Sequence, residues 1–466
     1  MLFPTVEYAL FFLCAFVGAW ALAKHQDAHK VFLLVASWAF YAFWDWRFLP
    51  VLVGISLEAA LIADALHRSL KERERRFILA IGVSAVLLTL MLFKYLGFFA
   101  SAVVQFLELK TPKLPELALP VGISFFTFHA ISLMVDAYRR KIPVKVRVMD
   151  ACLYVAFFPQ LVAGPILRAA TFLPMLNQAR DSKNVELPLA LQRIGLGLFK
   201  KVVLAQLLAT ALVDPVFESP GEHSSLEVLL GVYGYAAQIF CDFSGYTDLA
   251  IGSAALLGYS MPENFDSPYS AKSPQEFWRR WHISLSSWLR DYLFIPLGGS
   301  KGGAARTAAA LGITMVLGGL WHGAAWTFVA WGAFHGLGLI IHRAWASVPS
   351  LKSFRERRAW NVVAVLLTFH FVCAGWVLFR ASSLTGALEV FTAIARGAPG
   401  PLPIWVLGVV LAALGSSLIS GEGFATARAR FSRLPLIAQG AAFGLLVVAL
   451  DALGPRGIAP FIYFQF

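Results

Sequence analysis

Long apolar runs constrain this chain more than any motif in it. They fall near residues 3–22, 31–45, 48–66, 77–100, 117–137, 151–167, 187–213, 227–258, 305–320, 324–341, 360–379, 402–419 and 435–454. A helix crosses a bilayer with about 20 apolar residues, so with loops of about 15 residues the length holds roughly 13 spans. A soluble reading would divide 466 residues into about three domains of ~150. Composition excludes it: 58% of the residues are hydrophobic and 14% charged, against about 25% charged in soluble domains. The 14 Trp, 12 Tyr and 39 Phe suit a chain whose aromatics line membrane interfaces. The reading is an all-α, polytopic integral membrane protein with about 11–13 transmembrane or re-entrant helices. It forms a single membrane domain over residues 1–466, without repeats or low-complexity linkers.

The net charge of +12 is read as loop bias rather than as a nucleic-acid footprint, because cytoplasmic loops of membrane proteins collect Lys and Arg. Basic clusters lie at Arg68–Arg76, Arg139–Arg147 and Arg343–Arg358. The first two flank a pair of spans joined by a loop at 108–116, so both are expected on the cytoplasmic side, with the acidic stretch Glu218–Glu227 outside. The first apolar run ends in Ala21-Leu22-Ala23, a small-x-small pattern, but it lacks a basic leader and reads as a span. Four scattered cysteines without a CxxC suggest neither a disulfide framework nor a zinc site. No HExxH, Walker or Rossmann pattern occurs, so no metal and no tightly bound cofactor is expected.

Ionisable residues inside apolar sequence need partners or a function, since a charge at bilayer depth costs at least about 2.5–3.5 kcal/mol. Three such islands stand out. In the first, Asp242 and Tyr246 are four residues apart, neighbours on a helix and able to satisfy one another. The second opens at Ser273-Pro274 with Glu276 following, a helix start. Its Trp278, Trp281, Leu285, Trp288 and Tyr292 recur as one helical stripe, with Arg279, His282, Ser286 and Arg290 on the adjoining face. Such a helix is an interfacial anchor or the wall of a wet cavity offering cations, Arg280 among them, to an anionic ligand. The third holds Trp321-His322 among glycines and alanines, with no acidic residue within ten positions. A neutral imidazole at that depth is a competent general base. His129, His335 and His370 read instead as histidines that hydrogen-bond across helices.

The segments FWRRWHISLSSWLRDYLFIPLGG (277–299) and GGLWHGAAWTFVAWGAFHG (318–336) resemble the two signature segments of the membrane-bound O-acyltransferases. PVGISFFTFHAIS (120–132), FFPQLVAGPILR (157–168) and CDFSGYTDLAIG (241–252) are similar to further segments of the bacterial branch that acetylates alginate and related exopolysaccharides. The resemblance covers about 94–380 in order, with additional C-terminal spans over about 402–454. It implies a membrane-embedded funnel around a buried catalytic histidine, here His322, with His282 as the second family histidine. It also implies a bacterial inner-membrane location, an acyl thioester (acetyl-coenzyme A or an acyl carrier protein) presented from the cytoplasm, and an extracytoplasmic acetyltransferase or polysaccharide-modification partner.

On that basis His322 is the expected base for the attacking hydroxyl, and His282 orients, shuttles a proton or stabilises charge. Arg279, Arg280 and Arg290 are the expected phosphate ligands of the donor. Trp281, Trp321, Asp242 and Tyr246 complete the candidate binding set. Three other readings stay open: a D-alanyl or other acyl transferase of the same family, a non-catalytic scaffold, and a transporter or channel. The last would run protons or substrate along Asp242, Asp248, His282 and His322.

Overall fold

The computed structural model describes residues 3–108, 117–142, 145–162, 164–400, 404–419 and 421–453. The outer loop expected at 108–116 therefore lies outside the described residues except for Glu108. The chain is helical throughout, with no strand among the described residues. Six segments are long and apolar enough to cross a membrane: Gln26–Arg68, Glu72–Phe106, Leu187–Glu218, Ser225–Leu256, Gly303–His322 and Arg358–Arg380. Shorter apolar helices accompany them, including Val6–Ala21 and Ile123–Tyr138. Leu10, Leu13, Leu61, Leu88, Leu366 and Leu367 are exposed on these helices, as lipid-facing side chains are in a protein whose solvent is hydrocarbon. The chain is a multi-pass membrane protein.

Two compact units divide it: Met1–Ala190 with Leu249–Pro262, and Leu191–Asp248 with Glu263–Phe466. In the first unit Lys30 is fully buried, and its ammonium lies 2.9 Å from an Asp150 carboxylate oxygen and donates to Asn177 at 2.7 Å. A buried cation tolerated in this way must be paired and hydrogen-bonded. Two of the basic clusters meet in this unit. The Arg75 guanidinium donates to the carbonyls of Leu66, Ala137 and Tyr138, and the Tyr138 hydroxyl donates to Glu72 at 2.5 Å. The Arg68–Arg76 and Arg139–Arg147 clusters thus adjoin one another.

The second unit contains both signature segments. The Ser273 side chain accepts from the Glu276 amide at 3.1 Å, starting the helix Pro274–Arg280 where the sequence predicts a start. The predicted continuous stripe is interrupted, however. The helix stops at Arg280, His282 takes a left-handed backbone conformation (φ 44°, ψ 54°), and a second helix runs Ile283–Leu289. The helices Gly303–His322 and Trp326–Ala346 pack with their backbones in close approach. A side chain at Gly332 would place its Cβ 2.9 Å from the Val316 Cα, and one at Gly319 would meet the Phe328 carbonyl. Only glycine permits this approach, and it holds His322 at the turn between the two helices.

Candidate active site

His322 is the last residue of Gly303–His322 and is buried. Its ring stands edge-on to three aromatic rings: Trp321 at 4.9 Å, Trp331 at 5.1 Å and Phe379 at 5.2 Å between centroids. Trp331 comes from the following helix and Phe379 from Arg358–Arg380. This packing fixes the ring plane and surrounds the imidazole with apolar edges.

His282 occupies the break between the two short helices and is fully buried. Its Nδ1 lies 3.2 Å from Asn264 Oδ1, an oxygen that also accepts from the Ser284 amide at 3.0 Å and the Ser284 hydroxyl at 2.9 Å. Phe243 packs edge-on at 4.5 Å. Burial pushes the imidazole down to about 3, so the ring is neutral at ordinary pH. The Trp321 ring lies 6.1 Å from that of His282 and 4.9 Å from that of His322. A single indole therefore joins the two histidines singled out by the sequence.

The remaining candidates are distributed differently. Trp281 is buried among Phe265, Phe277, Tyr269 and Trp376, which makes it part of an aromatic core. Arg280 pairs with Glu276 at 2.7 Å and donates to Ser270 at 3.2 Å, while Arg290 pairs with its neighbour Asp291 at 2.7 Å. Arg279 is exposed. Asp242 forms an ion pair with Lys201, a partner the sequence reading did not name, and the Lys201 ammonium stands over the Tyr246 ring at 5.3 Å. Asp248 accepts from Arg193 at 2.9 Å and pairs with Lys200. Arg193 also reaches Glu263 at 2.7 Å. Arg193, Lys200, Asp248 and Glu263, with Asn264 and Phe265, line a cavity of about 60 Å³. A path of unpaired acids from Asp248 to His322, as a transporter would need, is replaced here by acids that each hold a cation.

Of the histidines read as cross-helix bonds, His370 fits: its Nε2 lies 2.8 Å from the Tyr233 hydroxyl. His335 does not. Its two ring nitrogens are buried without a hydrogen-bond partner among the described residues, and its ring packs against Trp331 at 4.9 Å and Trp278 at 5.1 Å. Asn264, Arg193, Lys200 and Lys201 were missed. For the lysines a signal existed, since Lys200 and Lys201 interrupt an apolar run as Asp242 and Asp248 do. Asn264 had none, because one Asn in a Pro- and Ser-containing connection reads as turn chemistry. Among the described residues no three His, Cys, Asp or Glu side chains gather as a metal site requires.

Residues 85–383 match the model of the membrane-bound O-acyltransferase family, and this range includes both histidines. The chain belongs to that family. It is 37% identical over 398 residues to the probable alginate O-acetylase AlgI of Pseudomonas aeruginosa, covering 84% of this chain and 75% of that one. It is 35% identical over 422 residues to the peptidoglycan O-acetyltransferase of Helicobacter pylori, covering 84% and 79%. It is 31% identical over 281 residues to the teichoic acid D-alanyltransferase of Streptococcus thermophilus, covering 56% and 68%. The chain is accordingly an O-acyltransferase.

Proposed function

We propose that this protein, in the inner membrane of a bacterium, takes acetyl from a cytoplasmic thioester and delivers it across the membrane to hydroxyls of an exopolysaccharide such as alginate. The observation that carries the reading is the pair of buried histidines in contact with one indole, inside the stretch that matches the family. The similarity to alginate O-acetylases over most of the chain supports acetyl as the acyl group and a polysaccharide as the acceptor. An extracytoplasmic partner completes transfer to the polymer.

In the acyl-transfer step, His322 accepts the proton of an attacking hydroxyl as its oxygen bonds to the thioester carbonyl. Collapse of the tetrahedral species breaks the C–S bond, and the proton returns from His322 to the departing thiolate. His282 holds developing charge and orients the reacting groups. Arg279 and Arg290, both exposed, receive phosphates of the donor, whether coenzyme A or a carrier protein's phosphopantetheine. Similarity to the teichoic acid D-alanyltransferase favours a second reading, D-alanyl transfer, but it extends over 56% of the chain rather than 84%.

Mass analysis of cell-surface polymer from cells with and without the protein tests the proposal. Ester-linked acetyl on a polysaccharide, lost with the protein, is the expected result. Loss of D-alanyl esters, or of none, overturns the acetyl assignment.

A further inference from the structure

His282 is held in a manner that its ordinary packing does not require. It is a non-glycine residue in the left-handed region, a conformation that costs of order 1–3 kcal/mol and persists where surrounding structure enforces it. The enforcing contacts come from Asn264. The Asn264 backbone carbonyl accepts from the Ile283 amide at 3.0 Å, and its side-chain oxygen accepts from the Ser284 amide at 3.0 Å. One residue thus meets the start of the helix Ile283–Leu289 with both of its oxygens. A second pairing, from the Asp266 amide to the Arg280 carbonyl at 3.0 Å, locks the two stretches together on either side of His282.

This arrangement determines more than backbone shape. The Ser284 amide can only donate, so the atom of Asn264 facing it must be the oxygen and not the amide nitrogen. His282 Nδ1 faces that same oxygen at 3.2 Å. A neutral imidazole nitrogen beside an acceptor oxygen is favourable only when it carries the hydrogen, so the proton sits on Nδ1 and the lone pair on Nε2. Nε2 is buried and has no hydrogen-bond partner among the described residues. An unpaired polar atom at such depth is expensive, and it is placed in the ring that contacts Trp321, which in turn contacts His322.

We propose that Asn264 is a positioning residue for acyl transfer: it fixes His282 as the Nδ1–H tautomer, so that the bare Nε2 accepts a hydrogen bond or a proton from the reacting groups. The proposal rests on the functional reading of His282 given above. Asn264 touches no reacting atom and acts through the ring it holds.

Two measurements on the full-length protein in lipid test it. The first is the 15N–1H spectrum of histidine-labelled protein, with His282 assigned by its absence in His282→Ala. A hydrogen on Nδ1 and none on Nε2 is expected in the native protein, with a mixture of tautomers in Asn264→Ala. A native spectrum with the hydrogen on Nε2 overturns the proposal whatever the variants do. The second is a double-mutant cycle of Asn264→Ala and His282→Ala, read as acetyl-coenzyme A consumption per folded protein. Asn264→Ala should lower kcat about 10-fold or more with KM within about threefold, because tautomer control acts on the chemical step. In the His282→Ala background it should cost less than about twofold, since residues acting through one another are not additive. Asn264→Asp, which keeps an acceptor oxygen on Nδ1, should recover most of the loss. If His282→Ala lowers turnover and Asn264→Ala multiplies that loss, His282 retains its role and Asn264 is only a helix cap. If His282→Ala turns over like the native protein, the functional reading of His282 falls, and the proposal falls with it.

Discussion

Two neighbourhoods in the second unit handle polar groups in apolar sequence in opposite ways. Where Leu187–Glu218 meets Ser225–Leu256, Asp242 and Asp248 each have a cation: Asp242 pairs with Lys201, and Asp248 with Lys200 and Arg193. Around the signature segments the ion pairs, Arg280 with Glu276 and Arg290 with Asp291, join near neighbours in sequence. His322, His282 and His335 lie instead against Trp, Phe and one Asn. Ion pairing makes a buried charge tolerable and ties it to its partner. Burial among aromatic edges keeps the His282 imidazole neutral. On the proposed function, the difference separates scaffold from chemistry within one helical unit.

The comparison breaks first at His322. His322→Ala should lower acyl transfer by about 10²–10⁴-fold, the usual loss for a general base, while the protein still inserts and binds the thioester. His322→Gln, which cannot take up a proton, should not recover it. Thioester consumption at matched membrane levels reads both variants.

On the paired side the loss should be in folding. Lys201→Ala leaves the Asp242 carboxylate buried without its cation and should cost about 3–5 kcal/mol of stability. Lys201→Leu combined with Asp242→Leu should restore most of it, read as the fraction of folded protein after heating in detergent. A pair whose double replacement unfolds the protein as badly as the single one would not be the self-contained unit described.

Smaller effects sharpen the boundary. His282→Ala should lower turnover by about 10-fold or more yet leave residual activity, with partial recovery in His282→Gln, as suits a supporting group. Arg290→Ala and Arg279→Ala should raise the apparent KM for the donor a few-fold and leave kcat nearly unchanged. Phosphate binding is felt equally in ground and transition states. A fall in kcat at constant KM would put either arginine on the scaffold side of the comparison.

Much of this was legible in the chain. The apolar runs announce the membrane helices, Ser273-Pro274 with Glu276 announces its helix start, and the two Trp-His dipeptides stand at the indole that joins the histidines. What was hidden depends on distance along the chain. Lys201 and Asp242 are 41 residues apart, and Asn264 and His282 18 apart, so no local period relates them. The break at His282 was hidden for a different reason. The aromatic spacing from Trp278 to Tyr292 continues a helical stripe across it, and the left-handed residue is not the glycine that usually marks such a point. Nor does composition mark the boundaries of the two units, since Ala190–Leu191 and Asp248–Leu249 fall inside continuous helices.

The central claim is that the aromatic-enclosed histidine performs the chemistry and the ion-paired residues hold the scaffold. Turnover per folded molecule, measured side by side for His322→Ala and for the Lys201→Leu, Asp242→Leu double variant, tests it most directly. The account predicts that the double variant keeps at least half of native turnover per folded molecule and that His322→Ala falls below a hundredth, the lower end of a general base's contribution of about 10²–10⁴-fold. A His322→Ala protein with more than a tenth of native turnover, or a folded double variant that is inert, would contradict it.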